Sequence, residues 1–563
     1  MKLWLFRRTL PLSLLAASAL GVAGACGPAE QPTPTATPAR IPTPTAVVAP
    51  TPTSAPVVAV ATPTPTRTPT PTPVGVQIKR GGTLRFRIEG DVRNMDSLLS
   101  TAGGEQAVMT ILYENPVRST RDLGLEPWLA KSWEVSTDGK ALTLRLQTGV
   151  KFHDGTPFNA AALKFHFDRA LDPKVGSIQA PLLQQVEAAE VVDDSTLRLR
   201  LKNPDATVLG VLADRGGMIS SPTAVRATAK EEYTRRPVGS GIFKIKDRVS
   251  DSHITYERFP SYWQQGLPYL DQVTARIISD PSVATAAFRS GGIENFVVPQ
   301  ATDLPVLEKT QGVNLSGLPW PGFWYFAVNP TVKPFGDPRV RKAISMAIDR
   351  NALMQVAYGG RATPLYGPIP PAFGWAYDPA FKKYDYNLAE AKRLLAEAGY
   401  PNGFTVSPVV WFGGAERKSV IEAIAAMLGQ VGIKLDLLLV QSAVASKGYL
   451  VDWQYPAYYS GVGPRPELHV IMAEHFHPDS PKTVGGPAIV PAGLREALDK
   501  AAQTYDSKER GALYRKAQDI IVEDMMRIFL YSQTEYEATW AYVKGYTSHP
   551  SALRNFAQTW LDR

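Results

Sequence analysis

Cysteine, long apolar runs and enzyme motifs are the features that this chain has least of. It contains one cysteine in 563 residues, which excludes an internal disulfide. After the first 25 residues, no apolar run reaches the roughly 18 to 20 residues that a membrane-spanning helix needs. The formal charge of +8 is mild and includes three basic residues near the N-terminus, and no arginine-rich tract favours a nucleic-acid partner. No G-x-S-x-G, H-E-x-x-H or P-loop motif favours an enzymatic reaction.

The N-terminus has the order of a secretion signal. Lys2, Arg7 and Arg8 precede the apolar run "TLPLSLLAASALGVAGA", which predicts a signal peptide over residues 1–25. Cys26 follows "VAGA" and this stretch resembles a bacterial lipobox, with Ala23 where that motif usually has leucine. A lone thiol in an exported chain lacks both a disulfide partner and a reducing pool, and lipidation of Cys26 accounts for this.

A linker follows the cysteine. Residues 27–77 contain 14 prolines and 13 threonines, in repeats such as "TPTPTRTPTPTP". Proline fixes φ and removes a donor, and few bulky residues are present to build a core. The sequence therefore predicts an extended Pro/Thr-rich linker over residues 26–77 and a folded body that is lipid-anchored to the membrane on its extracytoplasmic side.

The remainder alternates strand patterns with helix patterns. "GGTLRFRIEG", "ALTLRLQTGVKF" and "STLRLRLK" alternate apolar and polar residues with period two, which is typical of half-buried strands. "NLAEAKRLLAEAGY" and "ERKSVIEAIAAMLGQVGIKLDLLLV" place apolar residues at helical spacing, and the second continues into a strand. We therefore expect an α/β protein with mixed sheets.

Local signals within these segments predict scaffold features. Asp138–Gly139 lies between two alternating runs and predicts a tight hairpin. Asp337 is expected to cap a helix whose first turn holds Pro338, with Ile344, Ala347 and Ile348 on its buried face.

Several segments, taken in order, resemble the extracellular solute-binding proteins of family 5, the peptide/nickel class that serves ABC importers. The longest is "EPWLAKSWEVSTDGKALTLRLQTGVKFHDGTPFNAAALKF", followed by "PVGSGIFKI", "YWQQGLPYLDQV", "KPFGDPRVRKAISMAIDR" and "YNLAEAKRLLAEAGYPNGF". The resemblance runs from about residue 80 to the C-terminus.

The resemblance implies a class II periplasmic-binding-protein-like fold of the large, three-subdomain type, with two lobes and a hinge. Lobe I would comprise residues 78–316 with an inserted subdomain at about 105–230. Lobe II would comprise residues 317–526, and residues 527–563 would return to lobe I. It further implies a monomeric, non-catalytic protein without cofactors, which binds a small solute such as a peptide or sugar and delivers it to ABC permease subunits.

The segment 452–469 departs from peptide binders of the family. Members that hold a peptide by its N-terminus use an aspartate in a "GW-x-AD-x-x-DP"-like segment, where this chain has Gly461, Val462, Gly463 and Pro464. A buried ammonium without a carboxylate partner would suffer a large desolvation penalty. The departure weighs against a peptide anchored by its N-terminus.

Aromatic residues are the candidate ligand contacts instead, because their faces suit sugars, amphipathic ligands and peptide side chains. "WPGFW" is favoured because it falls at the presumed first crossing between the lobes. The candidate ligand-binding residues are Trp320, Trp324, Tyr325, Trp411, Tyr458 and Tyr459, together with Glu105.

Two histidine-containing segments suggest a metal site and a catalytic pair. His469, His475 and His477 could hold a metal, but His475 and His477 share one face only on a strand, so no metal site is predicted. His153–Asp154 in "GVKFHDGTPFNA" has no nearby nucleophile and is interpreted as a turn, after which Asn159 caps a helix.

The alternative functions are a secreted carbohydrate-binding or carbohydrate-hydrolysing protein, since Pro/Thr linkers also tether such enzymes, and a ligand sensor with the same fold.

Overall fold

The structure of the protein is a computed structural model that describes residues 77–100, 103–297, 299–480, 482–483, 490–551 and 553–563. The predicted signal peptide, Cys26 and the linker as far as residue 76 lie outside the described residues. All described residues belong to one contact unit of the chain.

Among the described residues up to 319, the chain forms twelve strands and seven α-helices. The strands are β1 (Thr83–Ile88), β2 (Val117–Ser119), β3 (Leu125–Pro127), β4 (Ala130–Val135), β5 (Ala141–Leu146), β6 (Val186–Asp193), β7 (Thr196–Leu201), β8 (Phe243–Val249), β9 (His253–Arg258), β10 (Gln272–Ile277), β11 (Asn295–Val297) and β12 (Val313–Pro319). The helices are α1 (Gly103–Leu112), α2 (Ala160–Leu171), α3 (Thr207–Leu212), α4 (Pro222–Ala227), α5 (Lys230–Tyr233), α6 (Pro281–Arg289) and α7 (Leu304–Lys309).

The second part contains the remaining strands and helices of the described chain. The strands are β13 (Phe323–Val328), β14 (Ala362–Pro364), β15 (Thr405–Trp411), β16 (Lys434–Leu439), β17 (Ala457–Val462), β18 (Ile528–Trp540), β19 (Val543–Lys544) and β20 (Trp560–Leu561). The helices are α8 (Pro338–Ala347), α9 (Arg350–Tyr358), α10 (Leu388–Glu397), α11 (Ala415–Gly429), α12 (Ser442–Leu450), α13 (Leu468–Phe476), α14 (Leu494–Gln503) and α15 (Ser507–Glu523).

One long strand, β18, joins two half-sheets. Its first part pairs with β13 and β14, whereas its later part pairs with β11 and β12. The N-terminal half-sheet continues through β1, β10, β9 and β8, and the C-terminal half-sheet continues from β13 through β17, β15 and β16. Parallel pairs such as β1–β10 occur beside antiparallel pairs such as β9–β10. The prediction of an α/β protein with mixed sheets is therefore confirmed.

Separate hydrophobic cores follow this division. One core is formed by side chains of the C-terminal half-sheet and its helices, from Trp320 to Tyr531. Another lies under the four-stranded antiparallel sheet β4-β5-β7-β6 and packs against α2. Two more lie on the N-terminal half-sheet. The molecule thus buries its apolar surface in several packed units rather than in one.

The predicted scaffold signals are found where the sequence places them. Gly139 adopts φ +68° in the turn between β4 and β5, where a Cβ would lie 2.9 Å from the Pro204 side chain, so only glycine fits without strain. Asp337 precedes α8 and accepts a hydrogen bond from the Arg339 amide at 2.8 Å. Ile344, Ala347 and Ile348 are buried, as predicted.

Asp337→Ala is expected to lower the free energy of unfolding by about 1 kcal/mol, because the first turn of α8 loses its cap. Gln441→Ala is the matched control, since Gln441 precedes α12 without a capping hydrogen bond from its side chain. Urea unfolding followed by circular dichroism measures both variants. Equal losses in the two variants would contradict the assigned role of Asp337.

The stretch "GVKFHDGTPFNA" forms a turn that is tied to neighbouring backbone. The His153 ring nitrogen Nε2 lies 2.8 Å from the Gly241 carbonyl oxygen, and the Asp154 carboxylate accepts hydrogen bonds from Ser221 and Thr156. Asn159 caps α2 by accepting from the Ala162 amide. Burial lowers the pKa of His153 to about 4, so its ring stays neutral at physiological pH.

His153→Gln is expected to make the unfolding free energy less sensitive to acid. In the wild type the unfolded chain binds a proton at residue 153 below about pH 6.5, whereas the folded chain does so only near pH 4. Stability from the neutral ring is therefore lost as the pH falls, by at most about 1.4 kcal/mol per pH unit. Glutamine keeps a donor for Gly241 and cannot take up this proton. In urea titrations, lowering the pH from 6.5 to 5 should therefore cost the wild type about 1.6 kcal/mol more unfolding free energy than it costs the variant; a difference between the two that does not change with pH would contradict this.

Candidate functional site

The chain passes from β12 to β13 through residues 320–322, which are held against β18. The Trp320 amide donates to the Gln533 carbonyl at 3.1 Å, and the Ser532 hydroxyl donates to the Trp320 carbonyl at 2.9 Å. A Cβ on Gly322 would lie 2.5 Å from the Trp320 ring, so the indole packs directly on the glycine backbone. The two half-sheets therefore meet at a segment with fixed contacts.

The predicted aromatic residues are divided between the two faces of the C-terminal half-sheet. Consecutive strand residues point to opposite faces, so Trp324 and Tyr325 separate, as do Tyr458 and Tyr459. Tyr325 and Tyr458 contact each other at a centroid distance of 6.4 Å, on the face opposite Trp324. Trp411, at the end of β15, is 5% exposed and belongs to the same core. The structure thus brings Trp324 and Tyr459 together and places Tyr325 and Tyr458 elsewhere.

Trp324 is surrounded by aromatic rings and lies above a glycine. Its ring stacks on Tyr531 at 6.1 Å and packs against Tyr459 at 5.5 Å. Its indole N–H donates to Gln533 Oε1 at 3.0 Å. Gly461 pairs with Trp324 across the sheet, and a Cβ at this position would lie 2.8 Å from the indole. The missing side chain at residue 461 is therefore what allows Trp324 to lie in this position.

Arg417 also contacts the Trp324 ring. Its guanidinium is 4.6 Å from the Trp324 ring centroid and 5.0 Å from that of Phe412. A Cβ on Gly413 would lie 2.4 Å from Arg417 Cδ, so the arginine stem runs close over the glycine. The side chain is partly exposed. Cation–π contact with two rings fixes the position of the charge without neutralising it.

Three tyrosine hydroxyls form a chain beneath this group. Tyr531 lies between Tyr459 at 2.7 Å and Tyr358 at 2.9 Å, measured between hydroxyl oxygens. Burial raises the pKa of Tyr459 and Tyr531 well above the ordinary value. These hydroxyls therefore stay neutral and serve as paired donors and acceptors.

A second arginine, Arg465, connects the crossing segment with the N-terminal part. Its amide donates to the Pro321 carbonyl at 3.3 Å, and its guanidinium lies 3.9 Å from the Asp214 carboxylate. Asp214 also accepts from Gln106 of α1. At 3.9 Å, the Arg465 guanidinium and the Asp214 carboxylate are too far apart for a hydrogen bond.

Glu105 is buried next to Gln106. Its carboxylate accepts from the Ser100 hydroxyl at 2.6 Å and from the Asn94 amide at 3.0 Å. The residue thus fixes Asn94 and Ser100, which precede α1. Whether it also contacts a ligand stays a prediction.

The two parts also touch away from the crossing, where the start of α3 meets the end of α14 and where α3 meets the start of α13. The Ala206 amide donates to the Ala502 carbonyl at 2.7 Å, and Tyr505 donates to the Asp205 carbonyl at 3.2 Å. A Cβ on Gly210 would lie 2.4 Å from the Glu467 carboxylate. Contact at this close distance requires glycine at residue 210.

The histidines of α13 have separate partners. His469 lies 3.1 Å from the Tyr514 hydroxyl, and His477 Nε2 lies 3.0 Å from Asp499. His475 is buried against Tyr325. In the part of the chain that the structure describes, no group of three or more His, Cys, Asp or Glu side chains is arranged to hold a metal ion.

Arg417, Arg465 and Gln533 were not among the residues predicted from the sequence. Arg417 occupies an ordinary position in the first turn of an amphipathic helix, and nothing in its neighbourhood along the chain marks it. Its position on Trp324 depends on the packing of α11 against the sheet, which single-sequence patterns do not contain.

Comparisons with known proteins match most of the chain. Residues 124–479 match the family model of bacterial extracellular solute-binding proteins, family 5. The glutathione-binding protein GsiB of Shigella flexneri serotype 5b is 33% identical over 432 residues, covering 74% of this chain and 83% of that protein. GsiB of Escherichia coli K12 has the same identity and coverage.

Solved structures extend this similarity to the fold. The periplasmic binding protein DppA of Helicobacter pylori, in complex with the peptide STSA, aligns with a TM-score of 0.75 and 28% identity, over 86% of this chain and 99% of DppA. AgaA of A. tumefaciens R10, in complex with agropinic acid, aligns with a TM-score of 0.73 and 27% identity over 86% and 99%. The predicted two-lobe binding-protein fold is confirmed. Within the described residues, no helix combines the length and apolar character needed to cross a membrane.

Proposed function

The chain belongs to the bacterial extracellular solute-binding proteins of family 5, and from this premise we propose that it captures glutathione or another short peptide-like solute for import. Proteins of this family are the substrate-binding components of ABC importers; they bind solutes and are not enzymes. The ligands of these relatives, glutathione, the peptide STSA and agropinic acid, define the chemical range of the proposal.

The observation that carries the proposal is the group formed by Trp324, Arg417, Tyr459 and Gln533 beside the crossing between the half-sheets. It combines aromatic rings, a partly exposed charge and a side-chain amide, which is the mixture expected of a small-molecule site between two lobes.

We propose that the lobes are residues 78–316 with an insertion at about 105–230, residues 317–526, and a return over residues 527–563. The separate hydrophobic cores support this division. Closure would bring the Arg417 group toward α1 and Asp214, and water would be excluded from both sides of the ligand. Trp320, Tyr325, Trp411, Tyr458 and Glu105 remain candidate contacts within this proposal.

We further propose that residues 1–25 are removed, that Cys26 carries the lipid anchor and that residues 26–77 tether a monomeric, non-catalytic body outside the membrane, near its permease. The apolar leader and the proline-rich repeats support this. The comparisons do not favour a carbohydrate hydrolase.

Isothermal titration of protein purified from cells that express the full sequence tests the ligand class. The probes are reduced glutathione, tri- and tetrapeptides and maltotriose. We expect saturable binding of glutathione or a peptide with a Kd of about 10 µM or tighter. Binding of maltotriose alone, or turnover of any probe, would overturn the proposal.

A further inference from the structure

Two buried side chains each belong to the hydrophobic core of the other part of the chain. Leu123, in the turn between β2 and β3, is buried in a core whose other buried members in the described chain all lie within residues 320–531. Val470 of α13 is buried in a core whose other buried members in the described chain all lie within residues 98–219. Each proposed lobe therefore receives one apolar side chain from the other lobe.

Leu123 has a backbone conformation that leucine rarely adopts. Its φ of +61° lies in the left-handed region, which glycine and asparagine occupy at lower cost. The turn itself is fixed by a backbone hydrogen bond of 3.0 Å from the Leu123 amide to the Thr120 carbonyl, and by the His549 ring, which lies 3.0 Å from the same carbonyl oxygen. The contribution of leucine at residue 123 is therefore its apolar side chain and not the shape of the turn.

A tight polar contact lies beside Val470. Glu467 precedes α13, three residues before Val470, and its carboxylate oxygen Oε1 accepts a hydrogen bond from Arg510 at 2.6 Å. A Cβ at Gly210 of α3 would lie 2.4 Å from Glu467 Oε2 and 2.9 Å from Glu467 Cβ. The space between α3 and Glu467 thus has no room for one methyl group.

These contacts stabilise one relative position of the two proposed lobes. The Leu123 and Val470 side chains are out of water in this position, and separation of the lobes would expose them again. A solute between the lobes is enclosed only while the lobes are together. Its apparent dissociation constant is then the intrinsic constant divided by the fraction of molecules that are closed.

We propose that Leu123, Val470 and the contact between Gly210 and Glu467 form an interlobe latch, which holds the closed arrangement and thereby sets the affinity for the solute without contacting it. The inference rests on the proposed function and concerns the regulation of that same site. Weakening the latch lowers the affinity although every side chain of the Trp324–Arg417 group is kept.

Two variants weaken the latch without weakening the elements that carry it. Gly210→Ala places a methyl group between α3 and Glu467, and alanine is the better helix former within α3. Leu123→Asn removes the apolar side chain, and asparagine accepts a positive φ more readily than leucine. In isothermal titration with reduced glutathione and with tetra-alanine, we expect each variant to bind at least about tenfold more weakly than the wild type.

Small-angle scattering reports whether this loss arises from opening of the lobes. At a probe concentration equal to the wild-type Kd, both variants should have a larger radius of gyration than the wild type, because fewer of their molecules are closed. Weaker binding without this increase would overturn the inference, since the substitutions would then act on the site and not on closure.

Each variant has a matched control. Gly429→Ala changes a helical glycine of α11 at which a Cβ meets no atom within 4 Å, and Leu125→Asn changes a leucine of β3 that is 37% exposed. Both controls should bind within about twofold of the wild type. If Gly210→Ala and Leu123→Asn bound as tightly as their controls, the inference would be overturned and peptide binding would stand. Absence of binding of every probe to the wild type would overturn the proposed function and this inference together.

Discussion

Replacing Arg510 with methionine is expected to lower the free energy of unfolding by about 3–5 kcal/mol. Arg510 Nη2 lies 2.6 Å from Glu467 Oε1 and 3.2 Å from the Tyr514 hydroxyl. The side chains of Arg510 and Glu467 are only 11% and 8% exposed. The variant leaves the Glu467 carboxylate buried beside Gly210 without its partner, which costs more than the pair itself contributes.

The size of the expected loss of unfolding free energy follows from the buried position of the Glu467 carboxylate. Glu467 also accepts from the His469 amide at the start of α13, so it cannot turn toward solvent without releasing that helix. Asp205 is close enough to Glu467 to add to the cost, and burial already raises the pKa of Asp205 to about 6. Two carboxylates would share one site from which the cation has been removed.

Urea unfolding of the full chain measures the loss. Arg393→Met is the matched control, because Arg393 is exposed on α10 and its ion pairs with Glu390 and Glu397 are of the surface type, worth less than about 1 kcal/mol. The double variant Glu467→Gln with Arg510→Met should recover part of the stability, since it removes the orphaned charge. If Arg510→Met lost as little unfolding free energy as Arg393→Met, the assigned role of the Arg510–Glu467 ion pair would be contradicted.

The features that the sequence predicted correctly depend on residues close together along the chain. Asp138–Gly139, Asp337–Pro338 and Asn159 each act within a few positions, through turn geometry or capping. Such signals survive in a single sequence because the interacting partners are neighbours. The mixed α/β class follows from the same local periodicity.

The site could be predicted only in part, because its residues meet through tertiary packing. The period-two pattern of a strand separates Trp324 from Tyr325, but which face receives α11 and its arginine is decided by the whole C-terminal core. The position of "WPGFW" at the presumed crossing predicts a role for its aromatic residues, and Trp324 of that motif does lie against Arg417. The other aromatic residues are predicted from residue type alone, and residue type does not show which face of the sheet each ring lies on, so Tyr325 and Trp324 cannot be told apart in this way.

Gly461→Asp is expected to weaken ligand binding by about a hundredfold. A Cβ at residue 461 would lie 2.8 to 3.0 Å from three indole atoms, so Trp324 must move and the platform under Arg417 is lost. The new carboxylate would also lie next to Trp324, whose ring contacts Arg417, and pairing with the guanidinium would remove the charge that the proposed site presents to a solute. Both effects act in the same direction.

Gly463→Asp is the matched control for this change. Gly463 is exposed two residues further along the chain, and a Cβ there would meet no atom within 4 Å. Gly463→Asp introduces the same charge without moving Trp324. Its affinity for glutathione should therefore fall less than about threefold. Tryptophan fluorescence separates displacement of Trp324 from the effect of the added charge, because only Gly461→Asp should shift the emission of the free protein. If Gly461→Asp bound glutathione as the wild type does, Trp324 and Arg417 would not be part of the ligand site.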